Sequence, residues 1–353
     1  MNRKKVLIDL RNISNPTNGF GQIAINYARV FGKLALPDIR FLFLMPENYN
    51  LPFHVNAELV RYTKDMRHNK SLLPEVQLWH SVNQQQKVRR LNQNTKFVLT
   101  IHDLNYIAEK SWIRCLKHDF VLKRMIRRAD AVTAISGFVA EQVGHRFEKV
   151  LGKKKVEVVY DAVERIDLNP SERPDFAEDK PFFFTIGQIR MKKNFHLLLD
   201  VMRHFPEHNL YICGDDHFEA GKLISKKLAG GGYENVRLTG KISNEEKVWL
   251  YSHCDAFLFP SQGEGFGLPV IEAMQFGIPV FVSPFTCLPE ISGGQAFIWK
   301  DVSIPTMVKG IKEYIPHFKS NPQLAENMRK HAFSFNYEKH VMKYVEIYRQ
   351  MLQ

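Results

Sequence analysis

Short apolar runs alternate with longer amphipathic stretches along most of the chain. The apolar runs contain few polar positions, which is typical of strands buried on both faces of a parallel sheet, whereas the stretches between them repeat their hydrophobic residues at helical spacing. The predicted strands are 4–10, 40–45, 76–82, 96–102, 131–136, 156–160, 181–186, 210–213, 236–238, 256–259, 280–283 and 296–299. The predicted helices are 21–33, 111–128, 138–149, 195–204, 218–228, 244–253, 268–276, 304–314 and 337–352. The pattern therefore predicts an α/β fold with parallel sheets covered on both faces.

The periodic pattern is interrupted between residues 161 and 180, where Pro170, Pro174 and several charges replace it, with Pro181 just beyond. Because strands and helices alternate on both sides of this break, we expect two Rossmann-like domains facing each other across a cleft. A chain of 353 residues, 44% of them hydrophobic, suffices for two cores. The predicted boundaries are 1–165 for the N-terminal domain, 166–335 for the C-terminal domain and 336–353 for a final helix.

The sequence contains no apolar run approaching the ~20 residues that cross a bilayer, and its first residues lead directly into a strand without a signal peptide. We therefore expect a cytoplasmic protein. The cysteines are widely spaced and form no C-x-x-C pair, so we expect small buried hydrophobic residues rather than disulfides or zinc ligands. They are Cys115, Cys213, Cys254 and Cys287.

Positive charge is concentrated in the first half of the chain. Residues 1–160 contain 27 Lys and Arg against 13 Asp and Glu, a net charge of +14, while the remaining residues have a net charge of −2. Three segments are especially basic: 61–70, 87–90 and 110–128. The last one interleaves basic with large apolar residues, which is typical of a helix lying on an anionic bilayer, but also of a surface helix whose apolar stripe packs on its own sheet.

Two carboxylates flank a glycine-rich helix start after the predicted strand at 256–259. Glu264 lies in the loop, and Glu272 is expected in the first helical turn. The backbone amides of the residues between them favour an anion such as a phosphate, while the carboxylates suit neutral hydroxyls, Glu264 those of a sugar ring and Glu272 those of a ribose. Alternatively, the two acids are only a solvated loop residue and a helix-terminal residue. The residues between them are Gly265, Phe266, Gly267, Leu268 and Pro269, the last predicted to be the first helical position.

Two motifs of the first half follow predicted strands. Gly19 and Gly21 open a helix whose amides suit a phosphate. They also mimic a dinucleotide fingerprint, but the preceding strand ends too far upstream for its tight turn. His102 and Asp103 end another strand and are expected to project into the cleft, unless Asp103 only caps the next helix.

The segment EGFGLPVIEAM, with Glu264 and Glu272 at its acidic positions, resembles the signature of the family 4 glycosyltransferases, retaining enzymes with the GT-B fold. The resemblance covers most of the chain. It implies that Lys193 pairs with the donor diphosphate and that the final helix crosses back to the first domain. Many relatives have arginine at the positions of Gln22 and Gln188. Arg190 or Lys192 would then supply the positive charge that is missing at Gln188, the second one beside the donor diphosphate after Lys193.

The resemblance implies two sets of site residues. Those expected to act in catalysis are His102, Asp103, Lys193 and Glu264. Those expected to hold the donor are Gly19, Gly21, Gln188, Arg190, Lys192, Lys193, Gly265, Phe266, Gly267, Leu268 and Glu272. Thr239, Gly240 and Lys241 are expected to line the base pocket, or else to form only a strand-to-helix turn.

The resemblance further implies transfer of a hexose, with mannose from GDP-mannose as the first guess, from a nucleotide sugar. Helix-terminal amides and Lys193 would stabilise the leaving diphosphate, so no metal or other cofactor is expected. Asp215 and Asp216, which form no Asp-x-Asp motif, are expected to cap the next helix. The first half's charge of +14 favours an anionic acceptor, such as a lipid-linked, lipopolysaccharide or capsule glycan, and a peripheral position at the inner face of the plasma membrane.

Two alternatives belong to other classes of protein. One is a catalytically inactive basic protein on the same fold that binds a membrane or RNA, although a nucleic acid partner is not expected. The other, more distant, is an oxidoreductase with a Rossmann site.

Overall fold

The computed structural model describes residues 3–14, 19–67, 69–84, 94–167 and 172–353. The chain divides into unit 1, which comprises Met1–Ala162 and Tyr337–Gln353, and unit 2, which comprises Val163–Asn336. Each unit contains one parallel sheet, so the predicted α/β class with two parallel sheets is confirmed. Asn18 of the first glycine motif, the basic segment 87–90 and Pro170 lie outside the described residues.

Unit 1 is built on a seven-stranded sheet in which every strand pairs in parallel with its neighbours. Its strands are β1 (Lys4–Asp9), β2 (Ile39–Pro46), β3 (Glu58–Tyr62), β4 (Leu78–Ser81), β5 (Lys96–Ile101), β6 (Ala131–Ala134) and β7 (Val156–Val158). They lie in the order β3-β2-β1-β4-β5-β6-β7. Successive side chains of β1 enter opposite cores, Val6 and Ile8 on one face and Leu7 on the other, which explains why the middle of this strand is a continuous apolar run.

The helices of unit 1 are α1 (Gly19–Phe31), α2 (Tyr106–Glu109), α3 (Trp112–Arg128), α4 (Gly137–Leu151) and α12 (Tyr337–Leu352). The last helix of the chain, α12, packs with α1 over one face of this sheet. Tyr344 and Tyr348 of α12 share a core with Tyr27 and Phe31 of α1, and all four side chains are buried. The apolar face of α12 is thus part of the core of unit 1.

A buried polar network joins α12 to the sheet. The hydroxyl of Tyr348 is hydrogen-bonded to Nδ1 of His80 at 2.6 Å, and Nε2 of His80 to the hydroxyl of Thr100 at 2.8 Å. Thr100 in turn contacts the hydroxyl of Tyr344 at 2.8 Å. Burial, with the nearby His340 and His102 adding to it, lowers the pKa of His80 well below its ordinary value. The network is therefore built around a neutral histidine.

Unit 2 has a six-stranded parallel sheet in the order β10-β9-β8-β11-β12-β13. These strands are β8 (Phe182–Ile186), β9 (Asn209–Cys213), β10 (Val236–Gly240), β11 (Ala256–Phe259), β12 (Val280–Val282) and β13 (Phe297–Ile298). Its helices are α5 (Phe195–Met202), α6 (Glu219–Ala229), α7 (Asn244–His253), α8 (Leu268–Phe276), α9 (Leu288–Ser292), α10 (Ile304–Lys319) and α11 (Pro322–Ala332). The strand order reverses between the central strands β8 and β11, so the chain leaves these two neighbours toward opposite sides of the sheet.

The sequence pattern missed elements that bury little apolar surface. Strand β3 is at the edge of its sheet and has no fully buried residue, and Arg40 of β2 pairs with its Glu58. Helix α11 fully buries only Met328 and Ala332, and most of its other residues are polar. The four cysteines are buried, as predicted.

Candidate functional site

The loops that follow β8 and β11 are hydrogen-bonded to each other at the reversal of strand order in unit 2. The side-chain amide of Asn194 donates to the carbonyl of Pro260 at 3.0 Å, and the backbone N–H of Gln262 donates to the carbonyl of Lys192 at 2.7 Å. Ligands of open parallel sheets bind at the carboxyl ends of the strands beside such a reversal. The fold therefore marks these loops as the place for a ligand in unit 2.

The most buried ion pair of these loops joins the two residues that the sequence motifs single out. Nζ of Lys193 lies 2.5 Å from a carboxylate oxygen of Glu264, and the two side chains are only 12% and 11% exposed. The same Nζ lies 4.9 Å from the ring centroid of Phe259, at the end of β11. The lysine packs beside Gly187, where a Cβ atom would lie 3.9 Å from Nζ, an ordinary van der Waals distance. Lys193 thus contributes a positive charge at the carboxyl ends of β8 and β11.

Helix α8 begins directly behind this ion pair. Its N-cap is Gly267, whose φ of 95° lies in the left-handed region that favours glycine. A Cβ atom at this position would also lie 2.8 Å from Cδ2 of Leu288. Leu268 is the first helical residue, so the expectation that Pro269 begins the helix is wrong by one position.

A buried thiol supports the loop before α8. Sγ of Cys287 donates to the carbonyl of Phe266 at 3.2 Å. Burial, with the charge of Glu264 adding to it, raises the pKa of this thiol well above its ordinary value. Cys287 is therefore a protonated donor that supports the loop.

Glu272 forms an ion pair of its own. As the fifth residue of α8 it lies beyond the first turn, contrary to the expectation from the sequence, because the helix begins at Leu268. Lys247 of α7 places Nζ 3.3 Å from its carboxylate, and the hydroxyl of Tyr251 donates to it at 3.4 Å. The sequence analysis missed Lys247, since nothing local to α7 shows that this helix packs beside α8.

Three more residues of the predicted donor set lie in the loop after β8. Nε of Arg190 donates to the side-chain oxygen of Gln188 at 3.2 Å, and the guanidinium lies over the ring of Phe218 at 4.0 Å. The alkyl chain of Lys192 lies against Gly263, where a Cβ atom would approach Cδ to 2.9 Å. Of the three basic side chains in this loop, the structure brings Lys193 to Glu264 but directs Arg190 toward Phe218.

The predicted base-pocket residues end β10 beside the end of β9. Thr239 donates to the carbonyl of Gly240 at 3.1 Å, and Nζ of Lys241 lies 3.3 Å from the carboxylate of Asp215. Although its burial acts in the opposite direction, hydrogen bonds from His217 and Lys241 lower the pKa of Asp215.

The expectation that Asp215 and Asp216 cap the next helix is wrong. The N-cap of α6 is Phe218, and the Asp215 carboxylate is paired with His217 and Lys241 instead. The backbone after β9 also lies close to that after β8, because a Cβ atom at Gly214 would be 2.0 Å from the carbonyl of Gly187.

The predicted site residues of unit 1 lie around a buried histidine. His102 is 5% exposed, and its Nε2 lies 2.8 Å from the carbonyl of Val82. Because a carbonyl only accepts, Nε2 carries a proton and donates this hydrogen bond, and in the corresponding tautomer Nδ1 is an acceptor suited to a hydroxyl donor. Its ring contacts the edge of Phe20 at 5.0 Å, which places the first turn of α1, with Gly19 and Gly21, beside it.

Asp103 follows this histidine and forms a local turn. Its carboxylate accepts from the backbone N–H of Asn105 at 2.9 Å. Asn105 is the N-cap of α2, so Asp103 does not occupy the cap position itself. Gln84 contacts the backbone of both residues, accepting from the N–H of His102 and donating to the carbonyl of Asp103, each at 3.0 Å. Within the described part of the chain, no group of three or more His, Cys, Asp or Glu side chains could hold a metal ion.

The sequence of unit 2 matches a known family. Residues 167–334 match the model of the glycosyl transferases group 1. Among curated relatives, the O-antigen chain mannosyltransferase RfbU of Salmonella typhimurium is 26% identical over 199 residues, which are 55% of this chain and 53% of that protein. The serotype-specific mannosyltransferase WbdA of Escherichia coli is 24% identical over 68% of this chain and 31% of that protein. The chain thus spans about half of RfbU and about a third of WbdA.

Solved structures share the fold of both units. Sucrose-phosphate synthase from Thermosynechococcus elongatus superposes with a TM-score of 0.74 at 18% identity, covering 99% of each chain. HepE from Anabaena, solved in complex with UDP and glucose, superposes with a TM-score of 0.73 at 16% identity, covering 99% of this chain and 100% of HepE. The sequence of residues 167–334 is therefore similar to the group 1 glycosyl transferases, and the chain has the GT-B fold.

Proposed function

We propose that this chain is a retaining glycosyltransferase that moves a hexose from a nucleoside diphosphate sugar to a glycan or glycolipid acceptor. The observation that carries the proposal is the ion pair of Lys193 and Glu264. It lies at the reversal of strand order in unit 2, inside the segment that matches the glycosyl transferases group 1, and directly before the N-terminus of α8.

The proposed chemistry follows from the charge of the leaving group. When the bond between the anomeric carbon and the diphosphate oxygen breaks, its electron pair remains on the diphosphate. The acceptor hydroxyl forms the new bond to the anomeric carbon and gives its proton to the departing diphosphate. Lys193 and the first backbone N–H groups of α8 are suited to stabilise that developing negative charge, which makes a metal ion unnecessary in this proposal. Glu264 is suited to accept hydrogen bonds from sugar hydroxyls and Glu272 from the ribose.

We propose two candidate donors, each supported by relatives of this chain. RfbU and WbdA are named mannosyltransferases, which supports mannose from GDP-mannose as the first candidate, while the structure of HepE contains UDP and glucose. Thr239, Gly240 and Lys241 are proposed to line the base pocket, next to the Asp215 carboxylate.

The acceptor is proposed to be anionic. Residues 1–160 carry a net charge of +14, and in the proposed reaction unit 1 binds the acceptor through surfaces that include His102 and Asp103. A lipid-linked, lipopolysaccharide or capsule glycan, met at the cytoplasmic face of the plasma membrane, fits that charge. Activity toward such an acceptor is expected to fall strongly with ionic strength, because salt screens attraction between exposed charges.

The test combines binding with transfer. Thermal unfolding and isothermal titration are measured with GDP, UDP, ADP and NAD. Transfer is assayed from labelled GDP-, UDP- and ADP-sugars. The proposal predicts that one nucleoside diphosphate raises the melting temperature, that its sugar is transferred, and that the product keeps the anomeric configuration of the donor by NMR. Stabilisation by NAD alone, or by none of the four, would refute it. The first outcome would indicate an oxidoreductase, and the second a binding protein.

A further inference from the structure

Helix α3 of unit 1 has two apolar stripes, of which only one belongs to the core. The inward stripe packs into the core between the sheet and α4 through Leu122, Met125 and Ile126. The outward stripe contains the four most exposed large hydrophobic side chains among the described residues. They are Trp112 at 72%, Phe120 at 63%, Leu116 at 56% and Ile113 at 51% exposure.

The outward stripe runs along the whole helix and changes from apolar to basic residues halfway. Trp112, Leu116 and Phe120 succeed one another at four-residue spacing, which aligns them on one side of the helix. Four residues beyond Phe120 the stripe reaches Arg124, and three residues further it reaches Arg127; both are exposed. The guanidinium of Arg124 lies 5.9 Å from the ring centroid of Phe120. One side of α3 is therefore an apolar wedge followed by a basic patch.

The charge of this helix has one sign on its exposed side. Its six basic residues are Arg114, Lys117, Lys123, Arg124, Arg127 and Arg128. Its single carboxylate, Asp119, faces inward, where Arg146 pairs with it at 2.8 Å and Tyr106 donates to it. All residues of α3 belong to the described part of the chain, so its outer face bears no carboxylate. Such a face is suited to bind a surface that is negatively charged and into which apolar side chains can insert.

We propose that the outer face of α3 binds an anionic lipid bilayer, with Trp112, Leu116 and Phe120 inserted at the boundary of headgroups and acyl chains and with Lys123, Arg124 and Arg127 against the lipid phosphates. An interfacial helix needs an apolar stripe beside cationic side chains rather than a spanning segment. None of the described helices meets the length and hydropathy that crossing a membrane requires. Tryptophan favours the membrane interface because its ring is both apolar and a hydrogen-bond donor. The proposal concerns unit 1 and does not depend on the transferase chemistry proposed for unit 2.

An anionic bilayer matches both the apolar half and the basic half of the outward stripe. An RNA would match the basic half but leave four large apolar side chains in water, and a second copy of this helix would match the apolar half but bring like charges together. The two halves thus favour a surface that combines hydrocarbon with negative charge.

The experiment uses the full-length protein and vesicles of two compositions, phosphatidylcholine alone and an equal mixture of phosphatidylcholine with phosphatidylglycerol. The wild type is expected to sediment with the mixed vesicles and not with phosphatidylcholine alone. Because each cationic residue near an anionic surface contributes about a fivefold change in partitioning, the triple variant Lys123→Gln, Arg124→Gln, Arg127→Gln should bind about a hundredfold more weakly. Phe120→Ser should bind about tenfold more weakly, as expected for the apolar area of this ring. The matched controls are Lys309→Gln, a 75% exposed lysine of α10, and Met342→Ser, a 38% exposed methionine of α12, and neither should change binding.

Tryptophan fluorescence tests the insertion itself. Of the four tryptophans, Trp112 is 72% exposed, Trp79 and Trp299 are buried, and Trp249 is half-buried. Mixed vesicles should shift the emission of the wild type to shorter wavelength, and lipids brominated in the acyl chains should quench it. Trp112→Phe should abolish both responses while still sedimenting. Far-UV circular dichroism and the melting temperature verify that the variants are folded.

Three results would overturn the proposal. In the first, the wild-type protein does not sediment with mixed vesicles. In the second, the α3 variants sediment with mixed vesicles as well as their controls do. The third is a dimer in light scattering that Phe120→Ser dissociates, without vesicle binding, which would identify the face as an interface between copies. Glu264→Gln, which alters the proposed donor site, should retain vesicle binding, so failure of the transferase proposal is distinguishable from failure of this one.

Discussion

The ion pair of Lys193 and Glu264 allows a prediction in which two single substitutions have different effects on nucleotide binding. If Lys193 contacts the diphosphate, Lys193→Gln removes a charged hydrogen bond worth about 1.5–3 kcal/mol, so the nucleoside diphosphate should bind roughly ten to a hundred times more weakly. Glu264→Gln removes the carboxylate that competes for the lysine at 2.5 Å, so binding should be unchanged or tighter. Transfer should nevertheless fall about a hundredfold or more in both variants, because each removes a group proposed to contact the reacting donor.

The assay is isothermal titration with the nucleoside diphosphate, together with turnover of the full donor. The pair Lys309 and Glu313 of α10 provides a matched control, since its atoms are 3.9 Å apart and its side chains are 75% and 64% exposed. Lys309→Gln should change neither quantity. Equal weakening of nucleotide binding by Lys193→Gln and Glu264→Gln, with turnover retained, would show that the pair only supports the loops. Circular dichroism verifies that both variants are folded at the assay temperature.

Three further predictions concern the fold and the second ion pair. Gly267→Ala should destabilise the protein by about 1–3 kcal/mol more than Gly294→Ala, measured by urea unfolding. Both glycines have positive φ, but of the two only Gly267 would place the added Cβ against a neighbouring side chain, Cδ2 of Leu288 at 2.8 Å; equal losses would refute a packing cost. The unfolding free energy should decrease as the pH falls below about 6.5, by at most about 1.4 kcal/mol per unit for His80, since its folded-state pKa is lowered and the unfolded chain takes up the proton first. His80→Gln should flatten this slope and substitution of the 81% exposed His145 should not, so parallel curves for wild type and His80→Gln would contradict the assignment. Lys247→Gln should raise the KM for the donor several-fold with little change in kcat, because it only positions the Glu272 carboxylate; an unchanged KM would remove it from the site.

Burial on both faces made the central strands predictable from the sequence. Strand β11 and the middle of β1 are continuous apolar runs, because both faces of their sheets are covered. The edge strand β3 was missed since its side chains are at most half-buried, so that no hydrophobic pattern marks it.

For the candidate site, local motifs identified residues but not their partners. The glycine-rich segment indicated that α8 begins near Gly267, because a left-handed cap and a following proline are local features. The ion pairs were not predictable in this way, as Lys193 and Glu264 are 71 positions apart and Lys247 and Glu272 are 25 positions apart.

The sequence of helix α3 likewise did not predict which of its residues are exposed. Its sequence is amphipathic and basic, which is compatible with an inward apolar stripe and with an outward one. Only its placement on the sheet showed that both exist, because Leu122 and Ile126 enter the core while Trp112 and Phe120 stay in solvent.

The sequence by itself determined the α/β class, the approximate positions of the central strands and most helices, and the residue types of the glycine-rich motif between Glu264 and Glu272. These depend on backbone preferences and hydrophobic spacing over a few neighbouring residues. The tertiary structure decided which charges pair, which histidines are buried and which side of α3 faces water. Such properties depend on contacts between segments distant in the chain, and a pattern read along the sequence does not specify which segments meet.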